Sequence, residues 1–546
     1  NKPYIYDGVY KKEKFFFRVN PFKIEKLDDF ATDSIEFNGY LVSAGIFEDI
    51  TKPLKVRPDY SLGFIHQTPD NGMITYGGKG TFINKIDLSN KGLRGFGTIN
   101  YLVSTGSTND CLFFPDSSNA MLDTYTVREQ EAGTQYPSVT GTNVYMHWEP
   151  YNDRMLVFSR EKPLQILKET RLIGNVEITP KGALAAGKID FDKAKMQSDR
   201  FELKHHEILS DTTSFQLKSS DFDDLALRTV NHKGHVDFAK RTGYFISNGG
   251  SALVEFPINQ YKTNCKEFEW MMDKDEIAVV YDDPFKNTDI NKTPAKSLIE
   301  MVSEGNYLVS THPAQDSLMF SAAKATYSLK DYVISAEGVR FIRVADAAII
   351  PYDGKVKVYK KAEIETLHNS RILANVTTKY HEFFDATTNI GARNWYNAKG
   401  SYNYIDEDDK AQKITFDTIF VDKKATTFAY GKVEKESAFA LSPNFGFVGD
   451  VKLTAENEFL NFSGGVSLVQ GCDTVKRTPL RFQADINPKE ILIPANETSK
   501  DINNRKIANA IVAPPEARIY CAFATSKEQI NDPEVVSAYG FLTFSK

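Results

Sequence analysis

Apolar and polar residues alternate along most of this chain, and the alternation is punctuated by glycine. The phrase Leu-Ile-Gly-Asn-Val-Glu-Ile-Thr (172–179) sets the pattern. After its glycine the side chains point in and out by turns, the period-two signature of a half-buried strand. The phrase returns as Phe-Val-Gly-Asp-Val-Lys-Leu-Thr (447–454), where Gly449, Val451, Leu453 and Thr454 fall on Gly174, Val176, Ile178 and Thr179. Looser copies begin at Phe37, His232, Tyr352 and Ala398. A second phrase, Leu88 to Tyr101, aligns without gaps on Ile178 to Phe191 and pairs Lys91 with Lys181, Gly92 with Gly182, Gly97 with Gly187 and Ile99 with Ile189.

These patterns predict an all-β protein, an elongated repetitive sheet in which short strands stack as in a solenoid or a jellyroll. Each ribbon buries its apolar face on the next, and glycine marks where the backbone bends or approaches closely. Residues 1–150 form a β-rich N-terminal region, with a long loop anticipated within 129–143. Residues 151–282 form a repetitive block in which Ser198-Asp199-Arg200 and Ser210-Asp211-Thr212 read as polar corners. A junction over 283–313 holds one short helix near 293–304. Thr293 caps it, Pro294 sits in its first turn, Leu298, Ile299 and Val302 make its apolar stripe, and Gly305 stops it. A second repetitive block covers 314–470, with Asp406 to Lys410 as a charged hairpin tip, and a small β region closes the chain over 471–546.

Composition narrows the function. Sixty-six basic against 72 acidic residues give a net charge of −6 with no basic block, which excludes a concentrated positive face for nucleic acid. No apolar run approaches the roughly 18 residues that a membrane helix needs. The start at Asn1 and the stop within Phe-Leu-Thr-Phe-Ser-Lys read as a portion of a longer polypeptide. Cys111, Cys265, Cys472 and Cys521 have no metal-ligand spacing, and Cys472 and Cys521 are near enough in sequence to pair.

Candidate chemistry is sparse. His205, His206, His232 and His235 are potential imidazole ligands, but His232 and His235 are three apart on a strand and point to opposite faces. They read as polar strand residues, so no metal site and no cofactor is expected. Asp221, Asp223 and Asp224, with Asp273, Asp275 and Glu276, lack the glycine and distal glutamate of a calcium loop. Asp190 and Asp192 are a carboxylate pair of the sort polysaccharide hydrolysis uses, in a strand where acidic residues fall on one exposed face by default. No nucleophile elbow and no phosphate loop occurs, so no catalytic residue is expected. The aromatic group Trp395, Tyr396, Tyr402 and Tyr404, beside the acidic tip, is the candidate binding surface, with cross-strand packing as the competing explanation.

The glycine–x–apolar–x–apolar phrase, followed by Ser-Asp-Arg-Phe-Glu-Leu (198–203) and His-Lys-Gly-His-Val-Asp-Phe (232–238), resembles the OstA-type lipopolysaccharide-transport proteins. The same cadence appears at Ala325-Thr326-Tyr327 and from Tyr332 to Val339. The resemblance covers 170–280 and 318–470; unequal rungs and an interrupting helix depart from it. The chain is also similar to large β-rich envelope proteins of Gram-negative bacteria. These resemblances imply a β-jellyroll with an apolar groove, a periplasmic or outer-surface location, and a structural or lipid-carrying role. The expectation is thus a non-enzymatic cell-envelope scaffold that binds lipid or a protein partner; the alternative is a carbohydrate-binding or polysaccharide-degrading β protein.

Overall fold

The computed structural model describes residues 5–23, 35–219, 221, 224–249, 252–281, 283–302, 307–469, 478–515 and 518–544. It is nearly all β, in long antiparallel ladders. The chain divides into two compact units, one of residues 1–254 and 266–277, the other of 255–265 and 278–546.

In the first unit, strand follows strand as antiparallel neighbours from Gly80–Ser89 through Gly92–Tyr101, Ser104–Phe113, Ser118–Val127 and Val139–Glu149. The ladder continues through Arg154–Phe158, Thr170–Thr179, Gly182–Phe191, Ala194–Leu203, Glu207–Lys218 and Leu225–Asp237. Residues 139–143, anticipated as loop, belong to this ladder.

The structure enlarges the repeat. Gly80–Ser89, Gly92–Tyr101 and Ser104–Phe113 recur ninety residues later, with the same bounds, as Thr170–Thr179, Gly182–Phe191 and Ala194–Leu203. Their irregularities recur too. Gly97 faces Thr108 and Gly95 faces Cys111, so one extra residue bulges from Ser104–Phe113; Gly187 faces Ser198 and Ala185 faces Phe201, so Ala194–Leu203 bulges in the same way. At each bulge two successive side chains, Asn109-Asp110 or Asp199-Arg200, face water, and alternation resumes out of phase. The inner face therefore stays apolar while the strand bends. A hydroxyl fixes both bulges. Thr108 Oγ1 accepts from Asp110 N (2.9 Å) and donates to Met121 O (2.7 Å); Ser198 Oγ accepts from Arg200 N (3.1 Å) and donates to Thr212 O (2.7 Å). Ser198 to Arg200 and Ser210 to Thr212 are thus mid-strand bulges and not corners. Polar runs inside a strand look like turns because a bulge also breaks the period of two.

The repeated glycine phrase marks a close approach of backbones. Gly174 (φ 153°) faces Gly187 (φ 132°), and Gly449 (φ 150°) faces Gly464. A methyl group on Gly174 would strike the Ala186 carbonyl oxygen, and one on Gly449 would lie 2.6 Å from Gly464 Cα.

In the second unit a like ladder runs from Tyr307–Ser310 through Met319–Ser321, Ile342–Val344, Ala347–Ile350, Leu367–Leu373, Glu382–Ala392 and Trp395–Ile405. It goes on through Ala411–Val421, Thr427–Val433, Phe445–Thr454, Leu460–Leu468 and Leu480–Ile486. The helix is a single turn, Ala295–Leu298, capped by Pro294 without a side-chain bond. Thr293 does not cap it: its hydroxyl bonds back to Asp289 O at 2.7 Å. Ala295 and Leu298 pack into a core with Ile290, Ala348, Ile350 and Leu373; Val302, at the end of the anticipated stripe, is 55% exposed. Gly305 lies outside the described residues.

Candidate functional site

The aromatic group separates on the pleat of Trp395–Ile405. Tyr396 and Tyr404 face the core, with their hydroxyls bonded to Thr427 Oγ1 (3.0 Å) and Leu441 O (3.0 Å). Tyr402, half-buried, lies 3.2 Å from His381 Nδ1, and burial pushes its phenol up to about 12. Trp395 alone is substantially exposed, at 48%. Cross-strand packing therefore accounts for three of the four, including the edge contact of Tyr402 with Phe383.

Trp395 follows a turn that lines a cleft. The cleft, about 510 Å³, is bounded by Met301, Val302, Met319, Phe320 and Phe341 on its apolar side and by Arg343, Arg393 and Asp316 among its polar groups. The strands place these residues. Ile342–Val344 turns Ile342 and Val344 inward and so presents Arg343 outward. Arg393 sits in the hairpin between Glu382–Ala392 and Trp395–Ile405. That hairpin is fixed from both sides, since Arg393 N donates to Gln315 O (3.1 Å) and Ala345 N donates to Arg393 O (2.8 Å). Gln315 is itself buried and donates to Ala362 O at 2.7 Å.

The apolar side is anchored by a buried ion pair. Arg340 and Asp283 lie 2.5 Å apart with side chains only 2% and 1% exposed. Arg340 Nε also donates to Met301 O at 2.8 Å, which holds that segment against the sheet. Arg343 and Arg393, by contrast, make no ion pair among the described residues. Guanidiniums with no ion-pair partner among the described residues, set beside methionine and phenylalanine, suit an amphipathic anion, because a guanidinium offers paired donors to carboxylate or phosphate oxygens. Sequence reasoning missed this cleft: its residues come from four separated segments, and neither arginine sits in a motif.

The other candidates are distributed differently. His232 is fully buried and its pKa is lowered, chiefly by burial, while His235 lies on the other face, 3.4 Å from Glu207. His205 and His206 come together with Glu129, which the sequence did not single out. Asp190 faces Arg171 across the ladder, and Asp192 sits in a turn at φ 48°. Asp273 pairs with Arg241, and Asp275 lies 3.5 Å from Lys193. Asp223 and Cys472 lie outside the described residues. No helix among the described residues is long and apolar enough to cross a membrane.

Compared with protein-family models, curated proteins and solved structures, the chain matches none.

Proposed function

We propose that this chain is a non-enzymatic β scaffold of the cell envelope, periplasmic or outer-surface, that binds a lipid with an anionic headgroup. The observation that carries the reading is the cleft in which Arg343 and Arg393, without an ion-pair partner among the described residues, stand beside Met301, Met319, Phe320 and Phe341. Apolar walls take up the acyl portion, and the two guanidiniums fork onto headgroup oxygens. Asp316 in the same lining disfavours a dianion packed against it and leaves a singly charged headgroup as the better fit. The envelope location rests on the resemblance of the glycine phrases to the OstA-type proteins. A second reading, carbohydrate binding, draws on the exposed Trp395 beside Arg393 and Asn394.

Flotation of the full chain with phosphatidylglycerol vesicles, with phosphatidylcholine vesicles as the neutral control, tests the proposal. Binding to the anionic vesicles alone is expected, reduced at least tenfold in the R343A/R393A double variant. Equal flotation with both lipids, or an unchanged double variant, overturns it. A glycan array scored against Trp395→Ala decides the second reading.

A further inference from the structure

Glu129 and the adjacent pair His205-His206 lie in the first unit, the glutamate far from the histidines in sequence, and all three lie outside the cleft described above. One ligand atom from each lies within 4.8 Å of the others. His205 Nε2 is 2.9 Å from Glu129 Oε1, and the two imidazole centroids are 3.8 Å apart. From this arrangement we infer a binding site for a divalent late first-row metal ion, with Zn²⁺ as the natural occupant.

The fold presents these donors deliberately. His205 and His206 are the two tip residues of the hairpin joining Ala194–Leu203 to Glu207–Lys218, closed by Lys204 N donating to Glu207 O at 2.9 Å. Neither histidine has positive φ, so the tip lacks the left-handed conformation that two-residue hairpin loops prefer. A bond from outside the hairpin helps to hold it: Phe238 N donates to His206 O at 3.0 Å. Ninety residues earlier the same tip is closed by Phe114 N donating to Ser117 O at 2.7 Å, and there the tip residues are Pro115 and Asp116. Proline and aspartate are ordinary turn formers. The hairpin therefore does not need histidine, and the change to paired imidazoles in one copy calls for another cause.

Glu129 is held as firmly. It precedes a loop closed by reciprocal bonds between Gln130 and Tyr136, 3.0 and 2.9 Å. Tyr136 Oη then donates to Thr179 O at 2.6 Å and Thr134 Oγ1 to Pro180 O at 3.2 Å, which ties the loop to the ladder. Two imidazoles and a carboxylate form a donor set that zinc accepts, with metal–ligand distances of about 2.0–2.2 Å. Seating an ion means opening the 2.9 Å contact of His205 with Glu129 slightly and closing the wider gaps, which needs only side-chain rotation at half-buried and exposed residues. Lys168 Nζ lies 3.7 Å from the other Glu129 oxygen on a side chain that is 76% exposed, so it can stay as an outer partner of the carboxylate or swing away. Three protein donors leave a coordination position for water. Close by is a cleft of about 950 Å³, lined by Thr134 and Gln135 from the loop of Glu129 and by Leu203 and Lys204 from the strand end that leads to His205.

The test is Zn²⁺ binding to the untagged full chain by equilibrium dialysis, with Co²⁺ absorption as a second readout. One tight Zn²⁺ per chain is expected, weakened at least tenfold in His206→Ala and in Glu129→Gln and unchanged in His235→Ala. His206 is exposed, so its loss leaves the fold intact, and circular dichroism of each variant checks this. Visible Co²⁺ bands that vanish in His206→Ala place the ion at the trio. No Zn²⁺ bound at 100-fold molar excess, or binding that is equal in wild type and His206→Ala, overturns the inference.

Discussion

Arg340 and Asp283 are a cation and an anion withdrawn from water together, and their burial leaves no solvent to compensate the loss of either. Arg340→Ala is expected to cost the second unit about 3–5 kcal/mol, because a buried carboxylate is left without its partner. The double replacement Arg340→Met/Asp283→Leu should recover most of that loss. Denaturant midpoints of the three proteins check this, and a double variant no better than the single one refutes it. Since Arg340 also holds the Met301 carbonyl, Arg340→Ala should weaken anionic-vesicle binding as well. At this scale the sequence is least legible. Nothing in the local pattern distinguishes the buried Arg340 from Arg343, three residues on and exposed, because charge type alone does not report which side of a strand meets water. Tyr396 and Tyr404 illustrate the same limit: period two groups Tyr396, Tyr402 and Tyr404 on one side of the strand but does not say whether that side is core or surface.

A strand in this protein must bend without losing its apolar face, and two devices do it. One is the hydroxyl-fixed bulge at Thr108 and Ser198; the other is the facing of Gly174 on Gly187 and of Gly449 on Gly464. Gly174→Ala should destabilise the first unit by about 2–4 kcal/mol, combining a disfavoured φ with a collision against the Ala186 carbonyl. Gly446→Ala is the control. Its new methyl would find its nearest atom 3.8 Å away, so the midpoint of chemical unfolding should hardly move. Elements were the most legible level. Alternation located most of the strands, and the shared phrase located Gly174 and Gly449, one glycine of each facing pair, because close backbone approach restricts the residue type. Ser198-Asp199-Arg200 reads as a corner because it has the composition of a turn, although it is a bulge within a strand. Thr293 and Pro294 carry the signature of a longer helix, but the Thr293 hydroxyl is spent on Asp289 O and only one helical turn is packed.

Across the molecule, a large set of tyrosines is held neutral by burial. Desolvation raises Tyr76, Tyr101 and Tyr125 in the first unit and Tyr261, Tyr281, Tyr327, Tyr396 and Tyr404 in the second. A phenol whose folded pKa lies above its unfolded value of about 10 contributes fully to stability below that value. The contribution is lost progressively as the pH rises past it, since the unfolded chain then ionises and the folded chain does not. Spectrophotometric titration through the alkaline range, followed alongside circular dichroism, tests this. The buried set should ionise only together with loss of the β circular dichroism signal. Smooth ionisation of all phenols with the fold intact would contradict this.

The ninety-residue recurrence has a consequence for how such a chain can vary. A full ninety-residue copy, from Gly80 up to Thr170, contains an even number of strand rows, so it returns the antiparallel ladder to the strand direction and pleat phase at which it began. Whole copies are thus interchangeable tiles. Splicing one in or out by recombination keeps every neighbour facing correctly, and specialised chemistry, such as histidines at a single hairpin tip, can be acquired by one tile while the others go on serving as plain sheet.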